Sequence, residues 1–191
     1  KNVTYKNLVL GSDKQIISLC PGSRVSEIKT FMPIFSKLID KINSHYSQNF
    51  LFHFPVLKDH ATAVKKYIPE GASFIISSTE DAKNFYINKS TLSVAKSGTI
   101  SLDICKNKCP LITIYKTSWF NYFLIKPFVK IKYANIINII ANKQVIPELI
   151  QSQCNDLDIF KKVCIFLDSK KERISTVANY CKIIKKITKK K

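Results

Sequence analysis

The sequence predicts an α/β fold in which helices cover a parallel β-sheet. Short apolar runs recur up to Tyr115, and each interval between them leaves room for a helix. Such alternation is typical of βαβ units, whose strands run parallel. The runs occupy residues 15–20, 50–54, 73–77, 92–97 and 110–115.

Length and composition agree with this class. A chain of 191 residues with 46% hydrophobic residues is enough for one globular domain with a substantial core. No apolar run approaches the roughly 20 residues that a membrane-spanning helix needs. The sequence starts without a methionine or a secretory signal, so we expect that it begins within a longer protein.

The helices follow in order from the spacing of apolar residues. After the first run this spacing predicts a long helix, which we expect Pro33 to break or kink near its middle. Residues 59–68 and 80–87 predict shorter helices, and after Tyr115 the sequence predicts no further strand. The apolar face of the long helix carries Ile28, Phe31, Phe35, Leu38, Ile39 and Ile42.

The C-terminal region predicts two lysine-rich amphipathic helices between Asn155 and the end of the chain. No internal repeat or low-complexity linker separates them from the predicted sheet. We expect their apolar faces to carry Leu157, Phe160, Val163, Cys164 and Leu167 in the first helix, and Ile174, Val177, Tyr180, Cys181 and Ile184 in the second.

The net charge of +18 suggests nucleic acid as a partner, because lysine-rich surfaces release counterions from phosphates. The excess is almost entirely lysine beside abundant Ile, Asn, Phe and Tyr, which is what an AT-rich coding bias produces. A nucleic-acid-binding module would also present several arginines on a basic face, whereas this chain has only Arg24 and Arg173. We expect no nucleic-acid partner, and an anionic membrane surface would attract the lysines equally well.

The six cysteines form no CxxC pair, and most lie in apolar stretches, so we expect reduced and buried thiols. His45, His53 and His60 show no metal-ligand spacing, which favours core or surface roles for them. The sequence therefore predicts no metal and no cofactor.

A first candidate site is the stretch LCPGSRVSEI at residues 19–28. Gly22 and Ser23 follow a predicted strand and precede a predicted helix, where free backbone N–H groups and the positive end of the helix dipole bind anions. Arg24 adds a planar guanidinium that grips two phosphate oxygens at once. The alternative is that Ser23 or Ser26 only caps the helix and Arg24 is a surface residue.

A second candidate turn, VAKSGTISLD at residues 94–103, also follows a strand and opens a helix. Ser97 and Thr99 could donate hydrogen bonds to phosphate, Gly98 allows a close backbone approach, and Asp103 could reach a ribose hydroxyl. In a parallel sheet both turns face one crevice, which predicts a nucleoside-diphosphate pocket. An ordinary helix cap remains the alternative for this tripeptide.

A third stretch, residues 130–151, places Asn138, Glu148 and Gln151 within an apolar segment. This pattern favours a loop and helix lining a cleft, because burying such groups without partners is costly. A ligand could be one such partner. Pro147 and Glu148 could also simply open a helix, since proline suits its first position.

In their order, these motifs resemble the C-terminal half of the lipid-A-disaccharide synthase family, glycosyltransferases of lipopolysaccharide synthesis in Gram-negative bacteria. The resemblance runs from about Ile16 to Gln151 and rests on LCPGSRVSEI, KSGTISLD, CPLITIYK and NIINIIANKQVIPELIQ. It implies a GT-B architecture, in which two Rossmann-like domains face each other across a cleft. The implied reaction transfers 2,3-diacylglucosamine from UDP onto 2,3-diacylglucosamine 1-phosphate, forms a β-1,6 disaccharide and releases UDP.

The resemblance also implies roles for individual residues. Arg24 matches the arginine of the family's PGSR motif and would hold donor phosphate, and Ser97, Gly98 and Thr99 match its SGT motif. Asp103 stands where the family usually has the glutamate that binds ribose in related transferases.

Asn138 matches the asparagine of the family's LPN motif, although Ile136 and Ile137 replace the two preceding residues. Glu148 and Gln151 match its PELLQ segment. The general base is expected in the N-terminal half.

The resemblance further implies a division of the chain. Residues 1–15 would be a linker remnant, residues 16–153 a Rossmann-like nucleotide-sugar-binding domain and residues 154–191 C-terminal helices, with the N-terminal acceptor domain absent. We expect the protein to act in the cytoplasm, peripherally on the inner membrane, and the present chain to bind UDP weakly without turnover. A sugar-nucleotide epimerase of the same layout is the enzymatic alternative.

Residues 118–133 gather aromatic and aliphatic side chains beside lysines, a pattern that suits a helix lying in a membrane interface. A core helix, or a patch that covers the absent domain, would give the same pattern.

Overall fold

The computed structural model describes residues 14–117 and 133–188. Within them lies a six-stranded sheet in which every strand pairs in parallel, in the order β3-β2-β1-β4-β5-β6. The strands are β1 Gln15–Cys20, β2 Phe50–Pro55, β3 Phe74–Ser77, β4 Ser90–Lys96, β5 Leu111–Tyr115 and β6 Glu148–Ile150.

The helices alternate with these strands, as the sequence predicts. They are α1 Val25–His45, α2 Ala61–Lys65, α3 Glu80–Lys89, α4 Ile100–Lys106, α5 Ile136–Ala141, α6 Asp156–Asp168 and α7 Lys170–Thr188, with short 3₁₀ helices at Lys58–His60 and Gln151–Gln153. This strand order is that of the Rossmann fold, and it reverses between β1 and β4. Ligands of open α/β sheets bind at such a reversal, at the carboxyl ends of the strands.

Helices cover both faces of the sheet, so the fold has three layers. In β1, Ile17 and Leu19 point into a cluster with α1, α2 and α6, whereas Cys20 belongs to a cluster on the opposite face with α3, α4, α5 and α7. Burial of both faces explains why the strands read as almost continuous apolar runs.

Helix α1 is continuous across Pro33, so a break at Pro33 is wrong, whereas a kink there stays a prediction. Pro33 lies on the exposed side of the helix, where solvent can reach the Lys29 carbonyl that has lost its partner. Met32 and Phe35, on either side of it, are fully buried and hold the helix against the sheet.

A sixth strand was not predicted. Glu148–Ile150 pairs with β5 in the register Thr113↔Glu148, and the Thr113 N–H donates to the Pro147 carbonyl over 2.9 Å. The helix expected to open at Pro147 is therefore wrong. A proline at the start of an edge strand costs no ladder hydrogen bond, so it is compatible with the strand.

Both C-terminal helices are confirmed, but two of their predicted apolar residues are exposed. Leu157 is 55% and Ile174 58% exposed, whereas the predicted Val163 and Tyr180 are fully buried. The other residues that pack against the core include Phe160 and Leu167 in α6 and Val177, Cys181 and Ile184 in α7, as predicted. The predicted apolar faces are therefore confirmed except at Leu157 and Ile174.

All six cysteines are free thiols, and the expectation of burial is confirmed for four of them, whereas Cys164 and Cys181 are half-buried. Among residues 14–117 and 133–188, no helix is long and apolar enough to cross a membrane. The predicted interfacial helix at residues 118–133 lies outside the described residues except for Tyr133, as does most of the predicted linker remnant.

Candidate functional site

A cavity of about 400 Å³ opens at the carboxyl ends of the strands, between the turn after β1 and the turn after β4. This is the point at which the strand order reverses, and it confirms that both predicted turns face one crevice. The residues that line it include Gly22, Ser23, Arg24, Glu27, Ser77, Thr79, Lys83, Lys96, Gly98 and Thr99.

The first turn depends on glycine at position 22. Gly22 has φ +114°, and a Cβ built there would lie 2.2 Å from Oε2 of Glu27. Only glycine therefore combines this backbone conformation with the close approach of the Glu27 carboxylate.

Glu27 accepts hydrogen bonds from the backbone N–H groups that were expected to bind an anion. Its Oε2 accepts hydrogen bonds from the N–H groups of Ser23, over 2.9 Å, and Arg24, over 3.2 Å. The carboxylate caps the N-terminus of α1, where negative charge is favourable. In this state a ligand meets side chains rather than these two amides.

Lys96 links the first turn to the end of β4. Its Nζ lies 2.8 Å from Oε1 of Glu27. Partial burial by itself favours the neutral acid, but the hydrogen bonds from Lys96 and from the backbone N–H groups of Arg24 and Ser23 outweigh it and lower the pKa of Glu27.

The two arginines differ in what their guanidinium groups contact. Arg173 donates to the carbonyl oxygens of Phe166 and Leu167 at the end of α6. Arg24 is exposed on the cavity wall, and its guanidinium has no hydrogen-bond or ion-pair partner within the described residues. It is therefore available to an anionic ligand.

The second turn divides its three motif residues. Gly98 and Thr99 are exposed on the cavity, whereas the Ser97 hydroxyl donates to the Ala134 carbonyl over 2.6 Å and does not line it. A Cβ at Gly98 would meet nothing closer than 3.9 Å, so the fold itself does not require glycine there.

Asp103 lies behind the cavity wall. Its Oδ2 is 2.8 Å from Nζ of Lys83, which also lies 2.7 Å from Glu80. Partial burial disfavours the charged form of Lys83, but hydrogen bonds to Asp103 and Glu80 outweigh it and raise the pKa of Lys83. A ribose contact by Asp103 stays a prediction.

Asn138, Glu148 and Gln151 find their partners within the chain. The Asn138 amide donates to Oε1 of Glu148 over 2.6 Å, and its oxygen accepts from the N–H groups of Val145 and Ile146. Glu148 also accepts from the Ala134 and Asn135 N–H groups.

Gln151 accepts from the Thr117 N–H over 2.8 Å. None of these three polar residues lines the cavity, and their assignment to a ligand stays a prediction.

Glu27, Lys83, Lys96 and Ser77 were missed as cavity residues. A glutamate in the first turn of the predicted α1 and a lysine directly before the SGT turn were the available signals. No pattern in the sequence predicts that Ser77 lines the cavity, because its buried partners come from other strands. Within the described residues, no cluster of His, Cys, Asp and Glu could hold a metal ion.

A sequence profile of the lipid-A-disaccharide synthetase family matches residues 1–191. The chain belongs to this family. It is 34% identical over 150 residues to the lipid-A-disaccharide synthase of Rickettsia bellii (strain OSU 85-389), covering 78% of this chain and 39% of that relative. It is 32% identical over 184 residues to that of Rickettsia prowazekii (strain Madrid E), covering 95% of this chain and 48% of the relative. The chain thus spans half or less of the length of these curated relatives.

Solved structures show the same fold. A putative UDP-N-acetylglucosamine 2-epimerase from Listeria monocytogenes has a TM-score of 0.60 at 12% identity, covering 90% of this chain and 40% of that one. MnaA of S. aureus, solved with UDP, has a TM-score of 0.60 at 13% identity, covering 94% of this chain and 42% of that one.

The C-terminal domain of a group 1 glycosyl transferase from Francisella tularensis has a TM-score of 0.56 at 10% identity, covering 90% of this chain and 85% of that one. The predicted Rossmann-like fold of a GT-B C-terminal domain is confirmed.

Proposed function

We propose that this chain is the donor-binding part of a lipid-A-disaccharide synthase. Its cavity would hold UDP-2,3-diacylglucosamine, from which the sugar is transferred onto 2,3-diacylglucosamine 1-phosphate with release of UDP. The observation that carries the proposal is the convergence of the Gly22 and Gly98 turns on one cavity at the reversal of strand order, in a member of this family.

The cavity wall supplies groups suited to a diphosphate. The Arg24 guanidinium can donate two hydrogen bonds to phosphate oxygens, and the exposed hydroxyl groups of Ser23 and Thr99 have no partner within the described residues. Glu27 and Lys96 form an ion pair that joins the two turns, and Lys83 is paired with Glu80. Arg24 is thus the cation of the cavity wall that no carboxylate of the described residues pairs with. Departure of UDP develops negative charge, which the same group would stabilise.

Calorimetric titration with UDP tests this site. We expect Arg24→Ala to bind UDP at least about 10-fold more weakly, because each charge-assisted hydrogen bond contributes about 1.5–3 kcal/mol. Arg24→Lys should recover part of the loss, since it restores charge without the planar fork. Lys29→Ala is the matched control, because Lys29 is exposed on α1 and outside the cavity. Equal affinities for Arg24→Ala and wild type would contradict the proposal.

The fold alone fits an epimerase equally well, as the Listeria structure illustrates. The family match favours the transferase. Conversion of a UDP-sugar without an acceptor would support the epimerase, and salt-sensitive duplex binding that UDP does not displace would support a nucleic-acid-binding module.

The remaining proposals concern the whole enzyme. The general base of the reaction is expected in the N-terminal half of the enzyme. We therefore propose that the present chain binds UDP without catalysing transfer. Acyl chains on both substrates favour work at the cytoplasmic surface of the inner membrane, where lysines are attracted to anionic lipid. Detectable transfer by the chain alone, or failure to bind anionic vesicles, would contradict these two proposals respectively.

A further inference from the structure

A chain of polar side chains crosses the apolar sheet from the cavity towards β4. His53 Nε2 lies 2.7 Å from the Ser77 hydroxyl, and its Nδ1 lies 2.7 Å from the Ser18 hydroxyl. Ser18 in turn lies 2.7 Å from the Ser90 hydroxyl. All four residues are buried, on four neighbouring strands, and of these four only Ser77 lines the cavity.

The far end of this chain fixes the direction of every hydrogen bond in it. The Ser90 hydroxyl lies 2.8 Å from the Tyr86 carbonyl oxygen, which can only accept. Ser90 therefore donates its one proton to this carbonyl and must accept a hydrogen bond from Ser18. Because Ser18 donates its own proton to Ser90, it must accept from His53, which carries its proton on Nδ1.

The near end follows from the state of His53. Burial lowers the pKa of His53 to about 3, so the ring is neutral and a proton on Nδ1 leaves Nε2 as an acceptor. Ser77 then donates its one proton to Nε2. Within the described residues His53 is the only partner of the Ser77 side chain, so the oxygen of Ser77 keeps its lone pairs for another donor.

We infer that Ser77 is a specificity-determining residue that accepts a hydrogen bond from an N–H or O–H group of the ligand, and that His53 and Ser18 are positioning residues that hold it in this role. The inference rests on the proposed function. The Ser77 hydroxyl offers only lone pairs, so it does not bind a phosphate oxygen. Lys83, which lines the cavity on the helix after β3, is already paired with Glu80 and Asp103. Arg24 follows β1, two strands away from Ser77 in the sheet, so the cavity favours a ligand whose anionic part lies towards Arg24 and whose donor lies towards Ser77.

The distance between Ser77 and the Gly22 turn fits the nucleoside of a nucleoside diphosphate. β3 lies two strands away from β1, which at about 4.8 Å per strand places Ser77 about 10 Å from the Gly22 turn. A uridine moiety brings two kinds of donor to that distance, the imide N–H of the base and the hydroxyl groups of the ribose.

Affinities for four ligands distinguish these donors in wild type, Ser77→Ala and Ser77→Thr. The ligands are UDP, its N3-methyl analogue and the 2′-deoxy and 3′-deoxy forms. In wild type we expect one analogue to bind about 3- to 10-fold more weakly than UDP, the effect of one lost hydrogen bond. Ser77→Ala should bind UDP and that analogue equally, and Ser77→Thr should restore the difference.

The identity of the weak analogue names the donor, and equal binding of all four ligands by wild type would overturn the inference. A thermal melt of each variant verifies folding, and comparing ligands within one variant cancels any general loss of stability. Persistence of the difference in Ser77→Ala would also overturn the inference.

Nitrogen-15 NMR of His53 tests the direction of the hydrogen bonds without any ligand. We expect a proton on Nδ1 and none on Nε2. A proton on Nε2 would make Ser77 accept from His53 and would free the Ser77 proton to donate to the ligand, which would overturn the inference whatever binds. If no uridine ligand binds at all, the proposed function fails, and the ligand assignment of Ser77 fails with it while the tautomer still reports the hydrogen-bond direction.

Discussion

The carboxylate of Glu27 lies 2.8 Å from the ammonium group of Lys96, so one ion pair joins the helix that follows β1 to the end of β4. The same carboxylate accepts hydrogen bonds from the backbone N–H groups of Ser23 and Arg24. Two turns that are far apart in sequence are thereby held as the two walls of one cavity. The stability of this arrangement depends on the ionisation of a single side chain.

Glu27→Gln should lower the free energy of unfolding at pH 7, because it weakens the cap of α1 and the ion pair with Lys96. The pKa of Glu27 is lowered in the folded state, so its contribution is present above the unfolded pKa of about 4.3 and is lost as pH falls through the folded value. Urea unfolding at pH 7 and pH 3 measures the difference between variant and wild type, which should shrink at pH 3. Glu70→Gln, at an exposed position away from the cavity, is the control. A difference that is the same at both pH values would refute this account.

Gly22→Ala should destabilise the protein more than Gly71→Ala. Both glycines have positive φ, +114° and +78°, so each substitution carries a backbone cost of about 1–2 kcal/mol. Only at Gly22 does the new Cβ also meet the Glu27 carboxylate, whereas nothing lies within 4 Å of a Cβ at Gly71. Thermal unfolding measures the stabilities and titration measures UDP binding, which Gly22→Ala should weaken and Gly71→Ala should leave unchanged. Equal losses of stability would show that the contact with Glu27 is of no consequence.

Gly98→Ala should show the opposite behaviour, with stability retained and ligand binding lost. A Cβ there has no neighbour closer than 3.9 Å, and alanine removes unfolded-state entropy worth about 0.4–1 kcal/mol. A diphosphate that approaches the backbone of this turn would meet the added methyl group. We expect the melting temperature to stay level or rise while UDP affinity falls. Unchanged UDP affinity would place the phosphates away from Gly98.

Much of the fold was predictable because each buried strand left an apolar run and each helix a regular apolar spacing. The convergence of the Gly22 and Gly98 turns followed from parallel topology alone. The strand Glu148–Ile150 was not predictable, because three residues are too few to show an apolar run and its pairing with β5 leaves no pattern in the sequence. Helix α1 survives Pro33 through tertiary packing, which overrides local propensity.

The internal partners of the polar residues were also out of reach of the sequence. Glu27 faces Lys96 across 69 positions of chain, and Ser18 faces His53 and Ser90, so the pairs exist only after the sheet has formed. A polar residue in an apolar segment predicts a partner but does not say whether the partner is a ligand or the chain itself. Asn138 poses this choice in its plainest form.

Asn138→Asp separates the two roles of Asn138. The amide group now donates to Glu148 and to the Ile146 carbonyl, at 2.6 and 2.7 Å, and a carboxylate would instead place like charge against Glu148 in a buried site. We expect a loss of about 2 kcal/mol or more in the free energy of unfolding. Asn142→Asp is the matched control, because Asn142 is exposed at the end of the same helix in a left-handed conformation that aspartate tolerates.

Ligand binding decides what the loss of stability at Asn138 means. If Asn138 only supports the fold, the folded fraction of Asn138→Asp should bind UDP within about 2-fold of wild type, because Asn138 does not line the cavity. Titration below the melting temperature of the variant measures this affinity. A fall of 10-fold or more, with Asn142→Asp unaffected, would restore the contact with the donor that the family resemblance implies.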